Sequence, residues 1–174
     1  LEAEGVPIRS TGDSEVVLEA IAHWGPAAAV KRFRGMFALA VWDRTDGSLL
    51  LIRDRLGLKP LYLLETARGL AFASGVRALL ATGLSRRRLS LEGLGSYLAF
   101  GSVFEPHTMI DGIRSLPPGH MLTWRDGRSI VTRYWNLPES PARRLTYPEA
   151  VEALRPALTE AIRLRLVSDV PLGI

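Results

Sequence analysis

Two apolar runs joined by a short polar turn constrain this chain more than anything else in it. Residues 36–43 read MFALAVWD, and residues 48–54 read SLLLIRD. A strand with one wet face alternates apolar and polar residues, because successive side chains point to opposite sides. These runs do not alternate. Both look apolar on both faces, which calls for a sheet covered on each side and argues against one washed by solvent. Between them lies DRTDG, with Asp46-Gly47 as the hairpin signal.

The remaining segments supply candidate layers. Thr11-Gly12-Asp13-Ser14 is a turn and helix start, with Asp13 or Ser14 as the expected N-cap. Val17, Leu18, Ile21 and Trp24 then recur at helical spacing until Gly25-Pro26 stops the helix. A second short helix is expected to reach Arg32. PLYLLE (60–65) and GLAFAS (69–74) read as a hairpin joined near Arg68-Gly69, followed by a short helix with Val76, Leu79 and Leu80 inward. Ser90 is placed to cap a helix carrying Leu94, Tyr97 and Leu98. Residues 100–113 read as a loop with little regular structure. HMLTW and SIVTRYW form another hairpin around Asp126-Gly127.

The proline-containing stretch NLPESPARR is the best linker candidate. Beyond it, Thr146 and Glu149 have the spacing of a capping box. Val151, Leu154, Leu158, Ile162 and Leu166 line one helix face, and Val170, Leu172 and Ile174 begin a strand. The pattern is α+β with a layered antiparallel sheet, followed by the start of an α/β unit.

The composition is 47% hydrophobic and 23% charged, ordinary for a globular chain, and the net charge is +4. The one dense basic run, Arg86-Arg87-Arg88, lacks interleaved aromatics and a nucleic-acid-binding motif, so we read it as a solvated loop. No apolar run approaches a membrane span. The chain has no cysteine, which excludes disulfides, thiolate metal sites and a cysteine nucleophile within these residues and fits a cytoplasmic setting.

Four stretches, in this order and spacing, resemble the glutamine-hydrolysing asparagine synthetases. They are TGDSEVVL (11–18), RGMFALAVWD with LLIRDRLGLKPLY (34–43 and 50–62), IRSLPPGHMLTW (113–124) and RLRLVSDVPLGI (163–174). The resemblance implies two domains. The first is a class II glutamine amidotransferase, an αββα N-terminal-nucleophile-type sandwich that cuts glutamine to glutamate and ammonia. Its latter half and connector would occupy residues 1–138. The second is an α/β ATP-pyrophosphatase-type synthetase domain, of which residues 139–174 would be the opening. It adenylates L-aspartate, and the ammonia displaces AMP to give asparagine.

Several expectations follow from the resemblance. The family's N-terminal cysteine nucleophile and its N-G-E segment would lie before Leu1, and the S-G-G-x-D-S nucleotide loop after Ile174. The chain then reads as an excerpt that by itself neither hydrolyses glutamine nor uses ATP, with no catalytic residue of its own. ATP and Mg²⁺ would serve the complete protein and would not be bound by these residues. A cytoplasmic location and a homodimer are also implied.

Asp13 is the one substrate contact carried over, as the carboxylate that holds the α-amino group of glutamine. An ammonium needs an acceptor-only anion, and a charge-assisted bond orients as well as binds. TGDSE is one residue shorter before the aspartate than in many members. The other reading of Asp13 is a helix cap, and separate oxygens could serve both. For Arg53, Asp54 and Gly57 we expect a structural ion pair or turn network near the site, with Gly57 and Pro60 in a tight turn. Gly75 stands where the family usually carries glutamate, so normal coupling between the two activities is in doubt.

Pro117-Pro118-Gly119-His120 reads as a rigid turn into a hairpin, with His120 as general base the lesser alternative. His23 and His107 lack partners at metal-ligand spacing. The four tryptophans are expected in core or interface packing. Asp169 would hold a helix-to-strand turn, with nucleotide contact the lesser alternative. Two further functional readings remain open: a relative that amidates or cyclises another carboxylate, and a catalytically silent binding or assembly protein on the same half-domain.

Overall fold

The computed structural model describes residues 1–139 and 144–166. The chain divides into two compact units, Leu1–Asn136 and Leu137–Ile174.

In the first unit a 3-10 turn (Glu2–Glu4) precedes two helices, α1 (Asp13–Trp24) and α2 (Pro26–Arg32). Gly25, at φ 74°, breaks them apart, and Pro26 opens the second. The expected cap is corrected: Gly12 is the N-cap and Asp13 is the first helical residue. The Glu15 carboxylate instead reaches back to the backbone N–H groups of Arg9 and Ser10. The inner face is also rotated from expectation. Ala20 is buried and Ile21 packs on the core, while Leu18 is 54% exposed.

Among the described residues seven strands make two antiparallel sheets. The first holds β1 (Ala38–Asp43), β2 (Ser48–Arg53), β6 (His120–Arg125) and β7 (Arg128–Arg133), in the order β1-β2-β6-β7. The second holds β3 (Tyr62–Thr66), β4 (Gly69–Ala73) and β5 (Ile113–Ser115), in the order β4-β3-β5. At the β6–β7 corner Asp126 (φ 50°) and Gly127 (φ 74°) both take left-handed backbone, as a two-residue hairpin loop requires. Strand β5 lies at the end of the stretch read as loop. Three residues are too few to display a period, and Ile113–Ser115 is a strand because β3 pairs with it.

Alternation along β2 explains the layers. Leu49 and Leu51 point to one side and pack with Leu61, Leu63, Leu116 and Leu122 between the sheets. Leu50 and Ile52 point to the other side, onto Val30 of α2 and Ile21 of α1. On the far side of the second sheet, Leu64 and Ile113 meet Leu79 of α3 (Val76–Ala81). The stack is helices, sheet, sheet, helix. Burying each such leucine contributes about 1.5–3 kcal/mol. The expectation of two covered faces holds for β2 but not for β1, whose Ala40 and Trp42 are exposed, the latter by 54%. The reason is position: β2 lies between β1 and β6, and β1 is an edge of the described sheet.

Ser90 caps α4 (Leu91–Phe100), accepting from the Gly93 N–H at 3.0 Å. A Cβ on Gly93 would lie 2.1 Å from the Thr108 carbonyl oxygen, so only glycine permits this helix–loop contact. Tyr97 and Leu98 remain largely exposed.

In the second unit the capping box forms at Thr146 and Glu149 and opens α5 (Tyr147–Arg165). Within this unit the stripe Val151, Leu154, Leu158, Ile162 and Leu166 is exposed. The expected strand at 170–174 and Asp169 lie outside the described residues.

Candidate functional site

The residues singled out in the sequence fall into two separate places. The first is a buried polar hub at the end of β2. Arg53 and Asp54 are 4% and 1% exposed. The Asp54 carboxylate accepts four backbone N–H groups: Leu56 and Leu58 at 3.2 and 3.0 Å on one oxygen, Phe37 and Lys59 at 3.3 and 2.9 Å on the other. Such a carboxylate folds the loop around itself. The Arg53 guanidinium faces away and donates to the carbonyls of Leu116 (2.7 Å), Gly57 (2.7 Å) and Lys59 (3.0 Å). Its Nη1 also meets Glu105. The two neighbours thus both hold the 54–59 loop, Asp54 through its N–H groups and Arg53 through its carbonyls, and they are not paired with each other.

Gly57 has to be glycine for two reasons. Its φ is +68°, and a Cβ would stand 2.8 Å from Pro118 and 2.9 Å from the Arg53 guanidinium. Tyr134 closes the hub from β7's end, donating its hydroxyl to the Arg53 carbonyl at 2.7 Å. Burial, with the Asp54 charge adding to it, pushes the Tyr134 phenol up to about 12. The hub joins β2, the 54–59 loop, the 105 region and the 116–119 turn. That is the chemistry of a brace.

The second place is Asp13. It sits exposed on the first turn of α1, and its carboxylate has no hydrogen bond or ion pair among the described residues. The helix N-terminus and an uncommitted carboxylate leave it available to a cation from solution. No contact between Asp13 and the hub joins the two places among the described residues.

The other candidates resolve locally. His120 Nδ1 lies 2.7 Å from the Pro118 carbonyl, so that nitrogen carries the proton and the ring fastens the turn. His23 meets the Glu4 carboxylate, 19 residues earlier, at 2.8 Å, a single pair and not a metal-ligand set. The Trp24 indole donates to the same oxygen at 2.9 Å, and Arg32 stacks on its ring at 3.9 Å. These bonds hold the Glu4 carboxyl below its usual range, Trp24 first and His23 next. No group of three or more His, Asp or Glu that could hold a metal ion occurs among the described residues. Gly75 is the N-cap of α3 in extended backbone, with open space where a Cβ would be. Glycine is not required there.

Sequence reasoning missed Glu105 and Tyr134. They lie 52 and 81 residues from Arg53, and no local pattern connects them. Composition offers one weak signal: an arginine on an otherwise apolar central strand needs a partner from somewhere.

Two antiparallel sheets packed face to face with helices outside are the architecture of N-terminal-nucleophile-type amidotransferases. The chain superposes on the glutamine phosphoribosylpyrophosphate amidotransferase of Bacillus subtilis with a TM-score of 0.55 at 18% identity, over 77% of this chain and 25% of that one. A second solved structure, an allosteric regulatory enzyme of purine biosynthesis, gives 0.52, also at 18%. These likenesses define the fold. Residues 1–135 match the glutamine amidotransferase domain, and the chain belongs to that family.

Curated relatives extend the similarity. Asparagine synthetase [glutamine-hydrolyzing] 3 of Bacillus subtilis is 35% identical over 172 residues, covering 98% of this chain and 28% of that protein. Asparagine synthetase [glutamine-hydrolyzing] 1 of the same organism is 32% identical, covering 99% and 27%. Amidase chry2 of Gibberella zeae is 31% identical, covering 93% and 24%. The chain thus spans about a quarter of the length of these relatives.

Proposed function

We propose that this chain serves a glutamine-hydrolysing asparagine synthetase, in which L-glutamine is the amido donor and L-aspartate the acceptor. The observation that carries the reading is the 35% identity over 172 residues to a protein of that name, together with the domain match over residues 1–135. In this reading Asp13 accepts the α-ammonium of glutamine and fixes which way the amino acid lies. Arg53, Asp54 and Gly57 brace the sandwich and touch no substrate. ATP supplies the activation of the acceptor carboxylate, and Mg²⁺ neutralises its phosphates. In this reading both would be held by other parts of the complete protein.

No helix among the described residues is long and apolar enough to cross a membrane. As the resemblance to the asparagine synthetases implies, we place the complete protein in the cytoplasm as a homodimer; Arg86-Arg87-Arg88, without interleaved aromatics, is read as a solvated loop and not a nucleic-acid site. A second reading has its own support. Amidase chry2 shares 31% identity, and Gly75 replaces the family's usual glutamate, so a related amidotransferase acting on another carboxylate is the alternative.

The protein expressed from its complete reading frame tests both. Glutamine should yield ammonia, and aspartate with ATP and Mg²⁺ should yield AMP. Asp13→Asn should raise KM for glutamine by about 10-fold or more, as expected when a charge-assisted bond is lost. AMP formation with another acid but not aspartate selects the second reading. No ammonia release from glutamine would overturn both.

A further inference from the structure

Glu15 fastens the turn that carries Asp13. Its two oxygens take different backbone donors: Oε1 accepts from the Arg9 N–H at 3.0 Å and Oε2 from the Ser10 N–H at 2.5 Å. Ser10 adds a third link, its Oγ accepting from the Gly12 N–H at 3.3 Å. Residues 9–15 are thereby closed into one loop. Asp13 stands exposed within that loop, with no bond of its own among the described residues.

This clasp differs from an ordinary capping box, in which the third helical residue returns to the N–H of the N-cap. Here the N-cap is Gly12, and Glu15, at that third position, passes over it to Ser10 and Arg9. The Gly12 N–H is left to Ser10. Glycine has the widest backbone freedom of any residue, so bonds across Gly12 must set the direction of the residue that follows it. No side-chain bond caps α1 to do so instead.

Glu15 does not share the task of Asp13. Residues two apart on a helix do not face each other. Both Glu15 oxygens are already engaged by the loop. The Ser10 hydroxyl first, and then the Arg9 and Ser10 N–H groups, hold the Glu15 carboxyl below 4.5. The clasp is therefore charged and closed at neutral pH.

We propose that Glu15 is a positioning residue for glutamine: its clasp on Arg9 and Ser10 aims the Asp13 carboxylate, and through it the hold on the α-ammonium. The inference rests on the reading of Asp13 as the glutamine contact. A hold on the amino group acts alike in the ground state and the transition state, so loosening it raises KM and spares kcat.

The test is a two-by-two set on the protein expressed from its complete reading frame: natural, Asp13→Asn, Glu15→Gln and both together. Glutamine at position 15 offers one acceptor oxygen and cannot serve both N–H groups. Glu15→Gln should raise KM for glutamine about 3- to 10-fold with kcat unchanged. On the Asp13→Asn background the same change should add less than about 2-fold, because no carboxylate remains to be aimed. The Ki of glutaramate, which is glutamine without its α-amino group, should be the same with and without Glu15→Gln. Ser10→Ala removes only the Gly12 link and should raise KM about 2- to 3-fold. If Glu15→Gln folds poorly, Ser10→Ala decides alone, and no rise in KM there overturns the inference. An unchanged KM in Glu15→Gln, an effect of full size on the Asp13→Asn background, or an equal loss for glutaramate would each overturn it while leaving Asp13 as a contact. If Asp13→Asn itself leaves KM unchanged, the reading of Asp13 fails and the role of Glu15 falls with it.

Discussion

Arg53 and Glu105 stand 52 residues apart and meet through one nitrogen, the guanidinium Nη1, which lies within 2.9 Å of both carboxylate oxygens. The two partners are unequal. Arg53 is buried and also holds three carbonyls, whereas the Glu105 side chain is 39% exposed. Removing them should therefore have unequal effects. Arg53→Met strands the carbonyls of Leu116, Gly57 and Lys59, and should cost about 3–5 kcal/mol. Glu105→Gln loses a charge that water already shares, and its cost should be much smaller. Urea unfolding midpoints compare the two. Equal losses would mean that the brace depends on the ion pair and not on the carbonyls.

Gly57 and Gly75 form a contrasting pair. Gly57→Ala puts a Cβ on left-handed backbone and 2.8 Å from Pro118, and should destabilise by about 2 kcal/mol or more. Gly75→Ala has ordinary backbone and open space, but alanine is a poorer N-cap for α3 than glycine, so the change should stay within about 0.5 kcal/mol of neutral. Thermal unfolding of the two variants checks both.

Tyr134 carries an alkaline prediction. Its phenol is raised from 10.0 to about 12, first by burial and then by Asp54. The folded state holds the proton more tightly than the unfolded chain. The associated stability is complete below pH 10 and is lost as pH rises from about 10 toward 12. Absorbance titration of tyrosinate should lose its latest step in Tyr134→Phe. The same variant should also show a shallower fall in stability over that window.

Glu4 carries the acidic counterpart. Its carboxyl is held below 4.5 by the Trp24 indole first and by His23 next. A lowered carboxyl stabilises the fold above the unfolded value, and that contribution is lost as pH falls from about 4.5 through the folded value. The Trp24 indole N–H resonance should move with a midpoint below 4.5. In Glu4→Gln that transition should be gone. A midpoint at or above 4.5 would show that the indole does not report this contact.

What was legible in the chain was whatever neighbours in sequence can decide among themselves. Asp46-Gly47 and Asp126-Gly127 name their turns because few residues tolerate that backbone. Ser90 and the Thr146–Glu149 box name their helix starts because the bonds span three residues. The non-alternating run at 49–52 demanded a layer on each side, and both layers are present. The same reasoning misplaced the cap of α1, because Glu15 reached back to Arg9 and Ser10, and it put Leu18 on the wrong face.

The amino-acid order alone determined the hairpins, the capped helices and the layered α+β class; the resemblance to a known family singled out Arg53, Asp54 and Gly57. Only the tertiary structure decided who meets whom across long separations: Glu105 and Tyr134 on Arg53, Glu4 on His23 and Trp24, and β5 beside β3. The physical reason is range. Turn and cap preferences are short-range properties of adjacent residues. A partner 50 or 80 positions away is selected by how whole layers stack, and that depends on every other contact at once.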